Sequence, residues 1–235
     1  HGVAKRVIEK AKNYNLLFYD AICPLVSKIH KEITLLESQG YQIIMIGHEG
    51  HPGVEGTAGQ LKDMGSLTLV QILSDVEKLY FSSDQKLAYI TQTTLSVFDT
   101  QEIVDALEKK FPKILAPKKS DICYATSNRQ TSIQEMARKV DAIFVVGAFN
   151  SSNSIRLVET AKRFGCNHSQ LIENINNFDC TQLSQFKSIG LTASASAPEE
   201  QLNMLIEKIK SKFTVDVIDY KEDENITFKV PNFLN

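Results

Sequence analysis

The sequence contains a long internal repeat, in which similar segments recur about 100 positions apart. Two apolar segments, 42–47 and 142–147, end in glycines at that offset. Cys23 and Cys123 have the same offset, and a helical pattern follows each cysteine and leads into one of the apolar segments. Short continuous apolar runs of this kind are typical of buried strands. Strands that alternate with helices predict βαβ units and parallel sheets, and therefore the α/β class.

The repeat extends to other elements and predicts a third, partial copy. Beside the two apolar strands, the pattern predicts strands at 87–94 and 189–196 and helices at 24–36, 100–111, 131–140 and 198–213. Residues 1–3 precede a predicted helix at 5–11 and then an apolar segment, read as a strand, that carries Cys23. This order matches the second half of a copy, so we expect the chain to be truncated at its N-terminus. The predicted domains are 1–22 (a remnant), 23–122, 123–213 and a C-terminal strand and tail at 214–235.

Polar loops follow the predicted strands where ligands usually bind. In parallel sheets, ligands lie at the carboxyl ends of the strands. The segments 48–57, 91–94, 148–154 and 192–196 are rich in His, Ser, Thr and Asn and fall at those ends. We therefore expect these loops to converge on one anion, with neutral donors at helix N-termini holding it. For any single serine, simple helix capping is the alternative interpretation.

The net charge and the short apolar runs argue against nucleic acid and membrane as binding partners. The formal net charge is −2, which gives no global basic field for nucleic acid or membrane, so neither is an expected partner. The longest apolar runs, 43–46 and 142–146, are far too short to span a membrane. None of the four cysteines forms a C-x-x-C pair, and no secretory signal is visible, so we expect reduced or metal-bound thiols in the cytoplasm.

Cys23 and Cys123 are the candidate metal ligands. Because they occupy equivalent places in two copies, they would face a common centre, and a third copy would supply a third cysteine. Three thiolates on a [4Fe–4S] cluster leave one iron open to substrate. Two buried apolar thiols are the alternative. Cys166 and Cys180 have no equivalent placement and are interpreted as structural.

Six segments of the chain carry distinctive loop sequences, namely DAICPLVSKIH (20–30), IGHEGHPGVEGTAGQ (46–60), TQTTLSV (91–97), DICYATSNRQ (121–130), NSSNS (150–154) and TASASAP (192–198). In this order, and along nearly the whole chain, they resemble the 4-hydroxy-3-methylbut-2-enyl diphosphate reductases of the non-mevalonate isoprenoid pathway. The resemblance implies a pseudo-three-fold arrangement of α/β domains around a central cluster, with the first domain incomplete. It also implies that Cys23 and Cys123 are two of three cluster ligands and that the third lies upstream of His1.

The resemblance assigns further residues and the reaction. Thr93 and His51 are implied to be catalytic, and the implied substrate-binding residues are His1, His51, Gln92, Thr93, Ser151, Ser152, Asn153 and Ser196. The implied reaction is the two-electron reductive dehydroxylation of an allylic diphosphate to isopentenyl and dimethylallyl diphosphate. The implied electron donor is ferredoxin or flavodoxin.

One position departs from the family pattern. The family reads H-P-E-V where this chain has His51, Pro52, Gly53 and Val54. The absent glutamate is the family's proton-relay acid, and Glu55 is not an obvious substitute. The sequence therefore leaves two alternatives beside the reductase, namely a non-redox diphosphate-binding module and an inactive fragment or variant.

We predict that Cys23→Ser and Cys123→Ser remove iron from the anaerobically prepared protein, whereas Cys166→Ser and Cys180→Ser do not. The reason is that only the first pair stands at equivalent places in the repeat. Iron content and the visible absorbance of the cluster measure the effect. Loss of the cluster in Cys166→Ser, with retention in Cys23→Ser, would show that the ligands are assigned wrongly.

Overall fold

The computed structural model describes residues 2–219 and 226–227, so His1 lies outside the described residues. The chain forms two units, the first running to Cys123 and the second starting at Tyr124. The finer predicted boundaries, after residues 22 and 213, stay predictions. Of the predicted C-terminal strand, residues 214–219 and 226–227 are described and are not in a strand, and the rest lies outside the described part.

The first unit is built on a three-stranded parallel sheet. Its strands are β1 (Gln42–Ile46), β2 (Leu67–Val70) and β3 (Leu87–Thr91), and its helices are α1 (Lys5–Asn13), α2 (Pro24–Ser38), α3 (Pro52–Ala58), α4 (Leu73–Glu77) and α5 (Val97–Lys110), with a short 3₁₀ helix at Met64–Ser66. The strand order is β2-β1-β3, so β1 is central. Ile44 pairs with Thr68 on one side and with Tyr89 on the other, and both pairings are parallel.

Two apolar layers cover the faces of this sheet because alternate side chains of β1 point to opposite sides. Ile44 and Ile46 pack in one cluster with the buried residues of α4 and α5. Ile43 and Met45 pack in the other with α2 and α3. A parallel sheet buried on both faces requires a nearly continuous apolar strand, which explains the sequence of β1.

The helix α2 shows how local sequence sets the elements. Pro24 occupies its first position, where the missing N–H costs nothing. Its buried residues recur at helical spacing, namely Val26, Ile29, Ile33 and Leu36. The helix ends before Gly40, whose φ of 76° is a left-handed conformation that glycine adopts readily, and the N–H of Tyr41 bonds back to the C=O of Leu36.

The second unit repeats this plan. Its strands are β4 (Ala142–Val146), β5 (His168–Ile172) and β6 (Ile189–Ala193), and its helices are α6 (Tyr124–Ala137), α7 (Ser152–Arg163) and α8 (Glu199–Lys210), with a 3₁₀ helix at Cys180–Gln185. The order is β5-β4-β6, again parallel and with the first strand central. Phe144 and Val146 pack towards α8, whereas Ile143 and Val145 pack towards α6 and α7.

The predicted α/β class, the parallel sheets and the internal repeat are confirmed. Strands β1 and β4 begin 100 positions apart (42 and 142), and β3 and β6 begin 102 apart (87 and 189). The central strand comes first in both sheets, and the two edge strands are added afterwards. Because all strands of one sheet run in parallel, the loops after them lie at one edge of that sheet.

Several predicted elements were wrong. Neither cysteine ends a strand, because residues 14–23 contain no strand and the approach to Cys123 contains only an isolated bridge between Ala88 and Leu115. Two residues after that bridge comes Pro117, which has no N–H for a ladder. Leu17 is 87% exposed, and no described strand pairs with its segment.

Two further differences between the predicted and the observed elements concern the second unit. Helix α6 begins at Tyr124 rather than at 131, because polar residues that lack an apolar period still form its first turns. His168 is the first residue of β5, a strand that the sequence analysis did not predict. Within the described part of the chain, no helix is both long enough and apolar enough to cross a membrane.

We predict that Gly147→Ala lowers the free energy of unfolding of the second unit by about 1–3 kcal/mol, the usual cost of overpacking. A Cβ at this position would collide with the Ser154 side chain and lie 3.1 Å from the Cβ of Ser194. The control is Gly65→Ala in the first unit, whose Cβ would approach only the exposed Asp63 side chain, at 3.1 Å. Urea denaturation measures both, and an equal or larger loss in Gly65→Ala would contradict the packing argument.

Candidate functional site

The loop after β1 places His51 at the start of α3. His51 caps this helix, and its Nδ1 accepts a hydrogen bond of 3.0 Å from the N–H of Gly53. An imidazole that accepts at Nδ1 carries its hydrogen on Nε2. Burial lowers the pKa of His51, and the neighbouring His48 lowers it further. His51 is therefore a neutral donor at physiological pH, suited to an oxygen ligand.

The loop after β3 is tied to the loop after β1 by Gln92. Its backbone N–H donates to the C=O of Ile46 at 2.8 Å. Its side chain accepts from the N–H of His48 at 3.1 Å and donates to Thr94 Oγ1 at 2.9 Å. Gln92 is 3% exposed, so these contacts fix the loop that carries Thr93 beside the loop that leads to His51. The predicted contact of Gln92 with substrate stays a prediction.

The same region brings a predicted metal ligand next to a predicted catalytic residue. The N–H of Cys123 donates to the C=O of Thr93 at 3.1 Å. Two residues earlier, Asp121 Oδ2 accepts from the N–H of Thr91 at 3.0 Å. Two hydrogen bonds therefore align the approach to Cys123 with the end of β3.

Asp121 also joins this segment to the helix that follows Cys23. Cys23 is the N-cap of α2, and Lys28, in the second turn of that helix, forms an ion pair of 3.0 Å with Asp121 Oδ1. The Asp121 side chain is completely buried, whereas that of Lys28 is 38% exposed. Burial raises the pKa of Asp121 more than the pairing with Lys28 and the Thr91 N–H lowers it. The Asp121 carboxylate is therefore removed from water, and the ion pair with Lys28 offsets only part of the free-energy cost of that desolvation.

The four cysteines fall into two environments. Cys166 and Cys180 are each 2% exposed and lie in apolar clusters. Cys23 is exposed and Cys123 is partly exposed, and each directly precedes a helix. The alternative that Cys23 and Cys123 are two buried apolar thiols is therefore wrong for this structure.

The thiol environment fits two ligands of an iron–sulfur cluster but not a complete set. Within the described residues, no group of three or more His, Cys, Asp and Glu side chains is placed to hold a metal ion. The sequence has four cysteines, and none of them is the third cluster ligand that the resemblance implies. Cys23 and Cys123 stay the predicted ligands.

In the second unit, the loop after β4 leads into α7. Ser151 caps this helix, and its Oγ accepts from the N–H of Ser154. Asn153 is 5% exposed and its Nδ2 donates to Ser194 Oγ at 3.2 Å. Asn153 Oδ1 and Ser154 Oγ are buried and have no hydrogen-bond partner among the described residues. Buried polar atoms without partners are uncommon and point to a place where a ligand or a water molecule binds.

The loop after β6 carries Ser196, which is exposed, and the buried Ser194. The C=O of Ala193, at the end of this strand, accepts from Arg129 Nε at 3.0 Å, and the C=O of Ala125 also binds this guanidinium.

The sequence analysis missed three residues that contact strand ends or the segments beside them, namely Arg129, Lys28 and Asp121. None of them lies in a strand-end loop of the repeat. The predicted convergence of the His51, Ser151 and Ser196 loops on one anion stays a prediction.

We predict that Lys28→Met lowers the free energy of unfolding of the first unit by about 2–3 kcal/mol, because it leaves a buried carboxylate without its counterion. This is less than the roughly 3–5 kcal/mol of fully buried pairs because Lys28 is partly exposed. The double variant Lys28→Met/Asp121→Asn should recover part of the loss, since it removes the uncompensated charge. Urea denaturation measures the series, and a double variant less stable than Lys28→Met would contradict this view of the pair.

Comparison with known proteins identifies close relatives. A family profile described as "LytB protein" matches residues 1–210. The 4-hydroxy-3-methylbut-2-enyl diphosphate reductase of Roseobacter denitrificans is 48% identical over 236 residues, covering 100% of this chain and 74% of the relative. The protein of the same name from Proteus mirabilis is 45% identical over 237 residues, with the same two coverages. The solved structure of the E-1-hydroxy-2-methyl-but-2-enyl-4-diphosphate reductase from Plasmodium falciparum matches with a TM-score of 0.91 and 34% identity, over 100% of this chain and 74% of that one.

Proposed function

Because the chain belongs to the LytB protein family, we propose that it reduces (E)-4-hydroxy-3-methylbut-2-enyl diphosphate to isopentenyl and dimethylallyl diphosphate. Relatives that carry the name of this reductase match the full length of the chain at 45–48% identity. The strongest structural support is the hydrogen bond from the backbone N–H of Cys123 to the C=O of Thr93, which joins a predicted cluster ligand to a predicted substrate-binding residue.

The cofactor would be a [4Fe–4S] cluster for which Cys23 and Cys123 supply two thiolates. Bound to the protein, such a cluster supplies electrons one at a time and one iron without a protein ligand. Cys23 is exposed and Cys123 is partly exposed, and each directly precedes a helix, so both thiols are accessible to a ligand. Ferredoxin or flavodoxin would deliver the electrons.

The residues of the first unit would bind the reacting end of the substrate. The Thr93 hydroxyl binds the substrate hydroxyl, and the loop that carries it is held by Gln92. His51 donates from Nε2 to a substrate oxygen and, being neutral, adds no fixed charge to the site. In the net reaction, two electrons and two protons enter, the C–O bond breaks, the hydroxyl leaves as water, and one carbon of the allylic system gains a proton.

The residues of the second unit would bind the diphosphate. Ser151, Ser152 and Asn153 stand at the N-terminus of α7, where N–H groups and the helix dipole favour an anion. Ser196 adds a hydroxyl from the loop after β6. Each neutral hydrogen bond contributes on the order of 1 kcal/mol, so several are needed for one ligand. This arrangement agrees with a formal net charge of −2, which excludes binding by a global positive field.

One observation favours a second candidate, an inactive or slow variant. Gly53 stands in the first turn of α3, where the family pattern that the sequence resembles has its proton-relay glutamate. Glycine supplies no proton, although its N–H still orients His51. Diphosphate binding would remain in such a variant because its donors lie elsewhere in the chain.

The experiment is turnover of the allylic diphosphate by the full-length protein, prepared anaerobically and supplied with a chemical reductant. We predict nearly inactive protein with Gly53 and a rise of about 10²–10⁴-fold for Gly53→Glu, the usual contribution of a positioned acid. An acid in the first turn of α3 is also favourable for the helix, so the variant should fold. Gas chromatography of the two products measures the rate.

The control is Glu55→Gln, which tests the other acid of this turn. Equal rates for Gly53 and Gly53→Glu, together with loss of activity in Glu55→Gln, would show that Glu55 relays the proton. Protein that contains no iron after anaerobic preparation but still binds inorganic pyrophosphate would contradict the reductase and favour a non-redox diphosphate-binding module.

A further inference from the structure

The carboxamide of Asn153 is, with the hydroxyl of Ser154, one of two buried polar groups near the strand ends of the second unit that lack a hydrogen-bond partner among the described residues. Its Nδ2 donates to Ser194 Oγ at 3.2 Å, while its Oδ1 is buried without a partner among the described residues. In this orientation, the amide gives a donor to a hydroxyl and leaves an acceptor facing the loop. An acceptor in that place repels an anion, whereas the helix N-terminus around it attracts one.

Rotation of the carboxamide by 180° removes this conflict. The oxygen and nitrogen of an asparagine side chain have nearly the same shape, so both orientations fit the same space. A serine hydroxyl donates as readily as it accepts. With the amide rotated, the Ser194 hydroxyl donates to Oδ1, and the Nδ2 group occupies the place of the unsatisfied oxygen. Both atoms of the pair are then satisfied once an anion accepts from Nδ2.

Backbone hydrogen bonds fix the position of Ser194 beside the Asn153 carboxamide. The N–H of Ser194 donates to the C=O of Val146 at 2.8 Å, and its C=O accepts from the N–H of Ala197 at 2.9 Å. The residue is 1% exposed, and Gly147 leaves no side chain to displace it. The side-chain partner of its hydroxyl is the amide of Asn153, at 3.2 Å.

The internal repeat gives independent support for a positioning role. Gln92 and Ser194 are the first residues after β3 and β6, and each N–H donates to the C=O that ends the central strand of its sheet. The side chain of Gln92 ties down the loop after β1, at the N–H of His48. Ser194 does the equivalent for the first turn of α7, through Asn153.

We propose that Ser194 is a positioning residue, which orients the Asn153 carboxamide so that its N–H group donates to a diphosphate oxygen. The inference rests on the proposed function, because it takes the ligand to be a diphosphate. Ser194 itself does not touch the ligand and acts only through Asn153. Its removal therefore weakens ground-state binding and leaves the chemical step nearly unchanged.

The test is the affinity of the protein for inorganic pyrophosphate, measured by calorimetry, with Ser194→Ala against Ser169→Ala. Ser169 is the matched control because it is also buried in this unit, and its hydroxyl donates to the C=O of Cys166 instead. We expect about 3–30-fold weaker binding in Ser194→Ala, the range for one hydrogen bond, and wild-type affinity in Ser169→Ala. With the allylic diphosphate as substrate and Gly53→Glu as the active background, the added Ser194→Ala should raise KM while kcat is retained.

The double variant Asn153→Ala/Ser194→Ala separates positioning from a general structural role. If Ser194 acts through Asn153, its removal has no further effect once Asn153 is alanine. Equal losses from Ser194→Ala in both backgrounds, or unchanged affinity in the single variant, would overturn the proposal. Wild-type protein that binds no pyrophosphate would instead contradict the proposed function, and the positioning role with it.

Discussion

In both units, one backbone hydrogen bond sets the geometry on which the candidate site depends. The residue after the third strand donates its N–H to the C=O that ends the central strand, at 2.8 Å from Gln92 to Ile46 and from Ser194 to Val146. This bond continues the parallel ladder by one residue beyond the strand. The loops that follow the two strands therefore leave the sheet side by side, and the side chains of Gln92 and Ser194 reach the neighbouring loop. In this way, polar groups that are far apart in the sequence of one unit come close together without a long flexible loop between them.

In each unit, the strand-end loops carry neutral hydrogen-bond donors, in a chain whose net charge is slightly negative. In the first unit the donor is the neutral His51, and in the second unit the donors are the amide of Asn153 and the serines at the N-terminus of α7. Such donors discriminate by geometry, so buried contacts such as those of Gln92 and Ser194 are as important as the groups that touch a ligand. The buried ion pair of Asp121 and Lys28 has a comparable role, because it links the approach to Cys123 with the helix that Cys23 caps.

The sequence predicted the class, the repeat and the strand-end loops because these follow from apolar periodicity and a fixed offset. It did not predict β2 and β5, whose exposed or polar residues, such as Thr68 and His168, hide the strand pattern at the edge of a sheet. It placed strands before both cysteines because an apolar segment resembles a strand even where no partner lies beside it. The contacts of Asp121, Arg129 and Ser194 depend on tertiary placement, although alignment of the two copies would have paired Ser194 with Gln92.

Hydrogen exchange with and without inorganic pyrophosphate tests most directly the central claim, that the strand-end loops bind the ligand. The account predicts slower exchange of the amides in segments 148–154 and 194–197 when pyrophosphate is present. The amides of α8 beyond its first turn should exchange at unchanged rates, because they lie more than one helical turn beyond the segment 194–197. Protection that appears elsewhere in the second unit, with unchanged exchange in both loop segments, would contradict the account.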